Sequence, residues 1–155
     1  MASDCLPLSS KELGRIRQMV QVPLVLKGVL SAEDALKCVE AGADAIMVSN
    51  HGAHTLDYLP HPLQVMDEIV QAVAGKVEIF VDGGFRRGSD VLKGLAFGAR
   101  LVGLGRPILY GLAAAGKDGV QSVVEIVTEE LRRLMTMVGC ARVEQISKRI
   151  LIEEA

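Results

Sequence analysis

Four short apolar runs alternate along the chain with stretches of helical periodicity, and this alternation restricts the fold more than any other feature of the sequence. Each run is apolar nearly throughout, as expected for parallel strands that are covered on both faces. The runs are PLVLKG (23–28), AIMVSN (45–50), EIFVDG (78–83) and LVGLG (101–105). The pattern predicts an α/β fold with four parallel strands joined by right-handed crossovers.

The segments between these runs carry start and stop signals for helices. Ser31 takes the N-cap position of SAEDALKCVEAG, and Pro62 stands in the first turn of PLQVMDEIVQAVAG; each segment closes on a glycine. We expect further helices over SSKELGRIRQMV and GSDVLKGLAFGA, and a short helix that starts at Pro107. A long amphipathic helix is predicted over about 117 to 139.

Length and charge place the chain among single-domain globular proteins. It has 155 residues, half of them apolar, and a formal net charge of -2. Because this faint acidity would not attract nucleic acid or anionic lipid, we expect no nucleic-acid partner and no membrane partner. The sequence also has no secretory pattern at its N-terminus and no apolar stretch of about 18 uncharged residues.

Three cysteines, Cys5, Cys38 and Cys140, are far apart and outside the spacings of metal or redox motifs. They predict reduced, core-forming thiols in an intracellular compartment and no metal site. The C-terminus LIEEA lacks a peroxisomal tripeptide.

Polar side chains and glycines collect at the carboxyl ends of all four runs. Parallel α/β folds bind their ligands at this edge of the sheet, so the four groups predict one shared site. In strand order the groups are Lys27; Ser49, Asn50 and His51; residues 82–87; and Gly105 with Arg106.

The loops DGGFRRGSDV and LGRP together predict a phosphate site. The glycines allow backbone N–H groups to approach a ligand, while Arg86 and Arg106 supply forked donors. The helix that starts near Ser89 is expected to point its positive end at the same place. Sequence alone does not decide whether Arg86 or Arg87 faces the ligand. Tight turns with solvated arginines would explain either loop alone, but explain the pair poorly.

Lys27 and His51 are the candidate reactive groups of this edge. A lysine at the end of an apolar strand either extends to solvent or supplies a fixed positive charge that stabilises developing negative charge. A histidine is mostly able to accept a proton at neutral pH, so His51 is a candidate general base. The alternative for His51 is a loop residue that only caps by hydrogen bonds.

In order and at matching separations, LVLKG, SNHGA followed by LD, DGGFRRGSDVLKGLAFGA and GRP resemble one family. This is the family of FMN-dependent α-hydroxy acid oxidases and dehydrogenases, of the glycolate oxidase and lactate oxidase type. The resemblance covers the family's C-terminal half and runs from about Ser9 to Ile150. It implies the C-terminal half, four βα units, of a (β/α)8 TIM barrel, and oxidation of a small 2-hydroxy acid to the 2-keto acid with FMN as cofactor.

The resemblance also implies residue roles. His51 would be the base that takes a proton from the substrate, and Lys27 would offset the negative charge of the reduced flavin. Asp82 would bind ribityl hydroxyls, and Ser49 would touch the flavin or its ribityl chain. The implied cofactor-binding set is Lys27, Ser49, Asp82, Gly83, Gly84, Phe85, Arg86, Gly105 and Arg106.

The chain departs from the family in the loop that follows His51. His54 occupies the substrate-binding position where the family has an arginine that holds the substrate carboxylate, and Thr55 stands where glutamine is frequent. Histidine is shorter than arginine and largely neutral at pH 7. Loss of one partner of a desolvated charge pair costs about 2 to 5 kcal/mol, so either the substrate has changed or turnover has been lost.

Length is the second departure, because a complete barrel needs about 250 residues. We expect residues 1–8 to form an N-terminal tail and residues 9–155 to form the C-terminal half of an FMN hydroxy acid dehydrogenase domain. The absent half would carry further flavin contacts and an aspartate that orients the catalytic histidine. Without it, the first and fourth strands are apolar edges that lack protecting charges or bulges. We therefore expect a homo-oligomer, or a partner chain that supplies the N-terminal half-barrel.

Three functions remain open on the sequence. One is an FMN-dependent 2-hydroxy acid oxidoreductase, cytoplasmic or peroxisomal by family, whose C-terminal half is not active alone. Another is a degenerate, non-catalytic flavin- or phosphate-binding module, which His54 favours. The last is a different phosphate-binding barrel enzyme, which would leave SNHG and Lys27 unexplained.

Overall fold

The computed structural model describes residues 8–54 and 56–151. Four parallel strands form one sheet in the order β1-β2-β3-β4, which confirms the predicted four βα units. The strands are β1 (Val25–Val29), β2 (Ala45–Val48), β3 (Glu78–Val81) and β4 (Leu101–Val102). The helices are α1 (Ser10–Met19), α2 (Ala32–Glu40), α3 (Pro62–Val73), α4 (Gly88–Ala96) and α5 (Arg106–Met137). The described part does not include residues 1–7, which contain Cys5 and most of the predicted tail. It also does not include Thr55 or residues 152–155.

Helix starts follow the predicted signals. Ser31 caps α2, since its side chain accepts a hydrogen bond from Asp34 N at 3.1 Å, and Pro62 is the first residue of α3. The two helices predicted after the fourth strand are the two parts of α5, which breaks at Ala115 and Gly116. The parts approach so closely at Gly111 and Gly119 that a Cβ on Gly111 would lie 2.5 Å from the Gly119 carbonyl oxygen.

The first strand differs from the prediction of a flat, unprotected edge. Its register against β2 shifts between Lys27 and Val29, where Gly28 has a φ of +98°. Such an irregularity bends an edge strand and hinders pairing with another chain. The predicted absence of bulges therefore does not hold for β1, whose register shifts, whereas the charge of Lys27 is held by Ser49 and Asp82 at the neighbouring strand ends and does not protect the free edge.

The core lies between the sheet and the helices of one face. Large side chains of the sheet and of α3 are fully buried there, among them Ile46, Val48, Met66, Ile69 and Val81. Burial of each such side chain contributes about 1.5–3 kcal/mol, so this layer holds the strand ends in place. Cys38 and Cys140 are buried free thiols in two apolar clusters, and burial raises the pKa of Cys38.

The edges of the sheet are less covered than the uniformly apolar strands suggested. Val25 in β1 is 41% exposed and Leu101 in β4 is 46% exposed. Only Val29 of β1 is buried. Two-sided burial is thus wrong for β1 and β4, although it fits β2, where three of four residues are buried. The reason is that four strands leave both edges of the sheet without a neighbouring strand.

Candidate functional site

A cavity of about 510 Å³ opens at the carboxyl ends of all four strands. Its volume is in the range of small-molecule and cofactor sites. Of the predicted cofactor- and substrate-binding residues, the structure brings all except Ser49 into its wall, whereas Asn50 and Arg87 of the strand-end groups do not line it. The lining comprises Lys27, His51, Gly52, Ala53, His54, Asp82, Gly83, Gly84, Phe85, Arg86, Gly103, Gly105, Arg106, Pro107 and Leu109.

Lys27 is the centre of a polar network beneath this cavity. Its Nζ donates a hydrogen bond to Ser49 Oγ at 2.8 Å and lies 3.2 Å from Asp82 Oδ2. Ser49 is only 1% exposed, so it lies below the cavity wall. The network joins the ends of β1, β2 and β3, and it fixes a positive charge at the mouth of the sheet.

Asp82 brings an unsatisfied acceptor to the same place. Its Oδ2 pairs with Lys27, whereas its Oδ1 is buried and has no hydrogen-bond partner within the described residues. A buried oxygen without a partner is costly, so it marks a position for a donor from outside the chain. A sugar-alcohol hydroxyl group is a donor of the required kind.

Gly83 and Gly84 form the turn that follows Asp82. Both have left-handed backbones, with φ values of +100° and +88°. A Cβ on Gly83 would lie 2.7 Å from Asn50 Oδ1 and 3.0 Å from Pro62 Cγ. Glycine is therefore required at Gly83 by both backbone and space, and the loop packs directly against the end of β2 and the start of α3.

His51 lies in a left-handed turn at the end of β2. Its φ is +55°, and Gly52 and Ala53 follow with φ values of +66° and +58°. A non-glycine residue in this region is uncommon and is found disproportionately at functional sites. The His51 side chain is exposed to the cavity, and its ring centroid lies 6.1 Å from that of His54. Within residues 8–54 and 56–151 no side chain, that of Asp57 included, forms a hydrogen bond with the His51 ring.

The structure distinguishes the two neighbouring arginines. Arg86 lines the cavity. Arg87 instead turns to α5, where its Nη2 lies 2.5 Å from Glu130 Oε1, and this contact raises the pKa of Arg87 and lowers that of Glu130. Arg86 is therefore the one placed to meet a ligand.

Three backbone N–H groups at the start of α4 already have partners within the chain. Gly88 N donates to Glu130 Oε2 at 2.8 Å. The backbone N–H groups of Arg86 and Arg87 both donate to Asp90 Oδ2, at 2.9 and 3.0 Å. These donors are thus occupied by carboxylates of the chain itself, and an anion in the cavity would depend on the glycine turn and on arginine side chains.

Arg106 approaches the cavity from the fourth strand, at the first position of α5. Its Nη2 would lie 3.7 Å from a Cβ on Gly52, so its guanidinium faces the His51 turn. Neither Arg86 nor Arg106 forms an ion pair with a carboxylate in the described part of the chain. Two guanidinium groups without a carboxylate partner in the described residues, together with Lys27, give the cavity wall a positive charge that suits an anion.

Two contributors to the site were missed by sequence reasoning. Glu130 blocks the α4 N-terminus from a distance of 42 residues along the chain, for which the sequence carries no signal. Asn50 was recognised only as a polar strand end. Its Oδ1 accepts a hydrogen bond from Gly52 N at 3.0 Å, and its Nδ2 donates to Pro60 O at 3.4 Å. A polar residue two positions before a left-handed glycine is the signal that could have indicated this turn.

The described residues hold neither a cluster of metal ligands nor a membrane-spanning helix. They contain no group of three or more histidine, cysteine, aspartate or glutamate side chains arranged for a metal ion. None of the described helices is both long and apolar enough to cross a bilayer.

Comparison with known proteins assigns the family. The sequence profile of the FMN-dependent dehydrogenase family matches residues 4–153. A peroxisomal (S)-2-hydroxyacid oxidase of Arabidopsis thaliana is 48% identical over 141 residues, 91% of this chain and 39% of the relative. The 2-hydroxyacid oxidase 1 of Mus musculus is 50% identical over 141 residues, again 91% of this chain and 38% of the relative. The chain thus spans about two fifths of the length of the curated relatives that it matches.

Solved structures agree in fold. Mandelate oxidase with 3,3-difluoro-2-hydroxy-3-phenylpropionic acid superposes with a TM-score of 0.88 at 44% identity, over 92% of this chain and 43% of the other. A mandelate oxidase mutant with a monooxide FMN adduct gives a TM-score of 0.86 at 45% identity, over 92% and 46% of the two chains. In sequence and in fold, the chain belongs to the FMN-dependent dehydrogenase family.

Proposed function

We propose that this chain carries the FMN-phosphate site and the catalytic base of an enzyme that oxidises a small 2-hydroxy acid to the 2-keto acid. The observation that supports this most is the single cavity in which Lys27, His51, Asp82, Arg86 and Arg106 meet at the strand ends. Relatives named 2-hydroxyacid oxidases, at about half identity, supply the class of substrate.

The residues of the cavity fit FMN. The buried, unpaired Oδ1 of Asp82 suits a ribityl hydroxyl. Arg86 and Arg106 have no carboxylate partner in the described residues and suit a phosphate dianion, which the turn at Gly83 and Gly84 can approach closely. Phe85, Gly105, Lys27 and Ser49 complete the set of residues that would hold the cofactor.

In the proposed reaction His51 is the proton acceptor. An imidazole nitrogen of His51 takes a proton from the 2-hydroxy acid, for which the exposed ring at the cavity wall is suitably placed. FMN, when bound, supplies the two-electron acceptor for the oxidation. Lys27, held by Ser49 and Asp82, keeps a positive charge at the strand ends, where negative charge collects during the oxidation.

We propose that this chain, without a second half-barrel, binds the carboxylate of the substrate only weakly. His54 lines the cavity beside His51 and occupies the position of the family's arginine. A neutral imidazole provides one donor where a guanidinium provides two parallel ones. A substrate carboxylate would therefore be bound less tightly, unless His54 is protonated or the second half-barrel contributes a cation.

The proposed domain is half of a barrel. Residues 9–155 would form the C-terminal half and residues 1–8 a tail, with four further βα units supplied by another polypeptide segment or chain. Exposed apolar side chains at both sheet edges, Val25 and Leu101, support association of this kind. Since several relatives are named peroxisomal oxidases, a peroxisomal or cytoplasmic location is part of the proposal.

A non-catalytic flavin-binding module is the second candidate. It is favoured by His54 and by the absence, within the described residues, of any side chain that orients the His51 ring. Such a protein would still bind the phosphate group of the flavin but would not oxidise a substrate. The third possibility, a different phosphate-binding barrel enzyme, is removed by the family match.

Anaerobic mixing tests the proposal. The FMN-loaded chain, with and without a half-barrel that supplies the missing strands, is mixed with glycolate or lactate while the flavin absorbance is followed. Bleaching that His51→Ala abolishes supports the oxidoreductase. Bound flavin that never bleaches, even in the completed barrel, supports the module, and no bound flavin rejects both.

A further inference from the structure

Ser49 connects Lys27 and His51, two residues that the proposed function uses and that form no hydrogen bond with each other in the described part of the chain. It lies at the end of β2 and is 1% exposed. Its Oγ accepts hydrogen bonds from Lys27 Nζ at 2.8 Å and from His51 N at 3.1 Å. We propose that Ser49 is a positioning residue that couples the Lys27 ammonium to the backbone conformation of His51. The inference rests on the proposed function for the role of His51, but not for the coupling itself.

The two hydrogen bonds depend on each other. A serine hydroxyl oxygen has two acceptor positions, and here Lys27 and His51 each have one. Rotation of the Ser49 side chain would therefore break both bonds at once. Lys27 in turn is held from its other side by Asp82 Oδ2 at 3.2 Å. The position of Ser49 Oγ is thus determined by the charge network, and the His51 N–H follows it.

The backbone at His51 needs such support. Its φ of +55° is disfavoured for a residue with a Cβ. The bond from His51 N to Ser49 Oγ holds this conformation locally, and the next bond, from Gly52 N to Asn50 Oδ1 at 3.0 Å, extends the same turn. Because no side chain of the described residues holds the His51 ring, the backbone conformation is what aims it into the cavity.

Amide hydrogen exchange and the ¹H–¹⁵N resonance of His51 test the coupling in the flavin-free chain. Ser49→Ala removes the acceptor, so the His51 amide should exchange about tenfold faster, as expected for loss of one hydrogen bond. Lys27→Met should change the same resonance in the Ser49 protein, because the two residues share Ser49 Oγ as their hydrogen-bond acceptor. In the Ser49→Ala background, Lys27→Met should add nothing.

Ser31→Ala is the matched control. It also removes a serine oxygen that accepts a backbone N–H, that of Asp34 at 3.1 Å, but it lies at the start of α2. It should change stability and leave the His51 amide unchanged. Should Ser49→Ala fail to fold, Ser49→Cys keeps a side chain of similar size with a weak acceptor, and should shift the His51 amide in the same direction by less.

The coupling is overturned if Lys27→Met leaves the His51 amide unchanged, or changes it equally in both backgrounds. This outcome is distinct from failure of the proposed function. Coupling in a chain that does not bind FMN would reject the function and keep the role of Ser49. A chain that binds FMN but shows no coupling would reject the role of Ser49 and would not contradict the proposed function.

Discussion

Lys27 and Asp82 form an ion pair that reaches across a strand, with Lys27 Nζ 3.2 Å from Asp82 Oδ2. Lys27 lies in β1 and Asp82 directly follows β3, and β2 lies between these strands in the sheet. The pair leaves Asp82 Oδ1 buried and without a partner in the described residues. One carboxylate thus fixes the cation with one oxygen and keeps the other, which has no hydrogen-bond partner within the described residues, beside the cavity that Asp82 lines.

Asp82→Asn should weaken FMN binding by about tenfold to a hundredfold, because a neutral amide accepts a ligand hydroxyl less strongly and no longer pairs with Lys27. Titration followed by flavin fluorescence measures the effect. Asp67→Asn is the control, since it removes an ion pair with Lys148 on the helical side. Equal affinities in both variants would exclude Asp82 from the cofactor site.

Arg86→Ala and Arg87→Ala should separate ligand binding from stability. Arg86 lines the cavity, so its loss should weaken FMN binding by about tenfold or more, with little change in unfolding. Arg87 pairs with Glu130, so its loss should lower the urea midpoint and leave FMN affinity unchanged. The same fluorescence titration, combined with urea unfolding, gives both quantities. If Arg86→Ala lowered the urea midpoint and Arg87→Ala weakened FMN binding, the placement of the two arginines would be contradicted.

Glu130→Gln should destabilise the fold at neutral pH, and the difference from the unaltered protein should shrink in acid. Arg87 and the Gly88 N–H lower the pKa of Glu130 in the folded chain. A lowered folded pKa adds stability above the unfolded pKa, and this is lost as the pH falls through the folded value. Urea midpoints of both proteins, measured from about pH 7 to about pH 3, test this. A difference that stays constant with pH would show that the charge of Glu130 is not involved.

His54→Arg should strengthen carboxylate binding. An arginine would restore a permanent, two-pronged cation beside His51, for which a gain of about tenfold to a thousandfold is expected. Perturbation of the bound flavin spectrum by a 2-keto acid measures the affinity. His54→Lys is a useful comparison, since it adds charge without the fork and should gain less. No gain with arginine would mean that His54 does not face the carboxylate.

Association through the sheet edges should be visible in sedimentation. We expect a dimer or larger species at micromolar concentration, because Val25 and Leu101 expose apolar surface at the two edges. A double variant, Val25→Lys with Leu101→Lys, should sediment as a smaller species. A compact monomer of the unaltered chain would contradict the proposed association.

Much of the fold could be predicted from the sequence because it depends on local patterns. The order of the strands and helices follows from the apolar runs, the Ser31 cap and Pro62. The residues at the strand ends predict most of the cavity wall. Such predictions require only the hydrophobic periodicity of each helix or strand and the rule that parallel strands have their carboxyl ends at the same edge of the sheet.

What the sequence could not predict depends on contacts between distant segments. The occupation of the α4 N-terminus by Glu130 follows from how α5 packs after its break. The choice between Arg86 and Arg87 follows from the same packing. The double acceptor role of Ser49 depends on the register of β1 against β2, which no spacing within either strand reveals.

FMN and riboflavin titrations of the same chain test the central claim most directly, because the two ligands differ only in the phosphate group. If the strand ends form an FMN-phosphate site, FMN should bind saturably with one molecule per chain, and riboflavin should bind at least about tenfold more weakly. Equal affinities for the two, or no quenching of FMN fluorescence at saturating protein, would contradict the account.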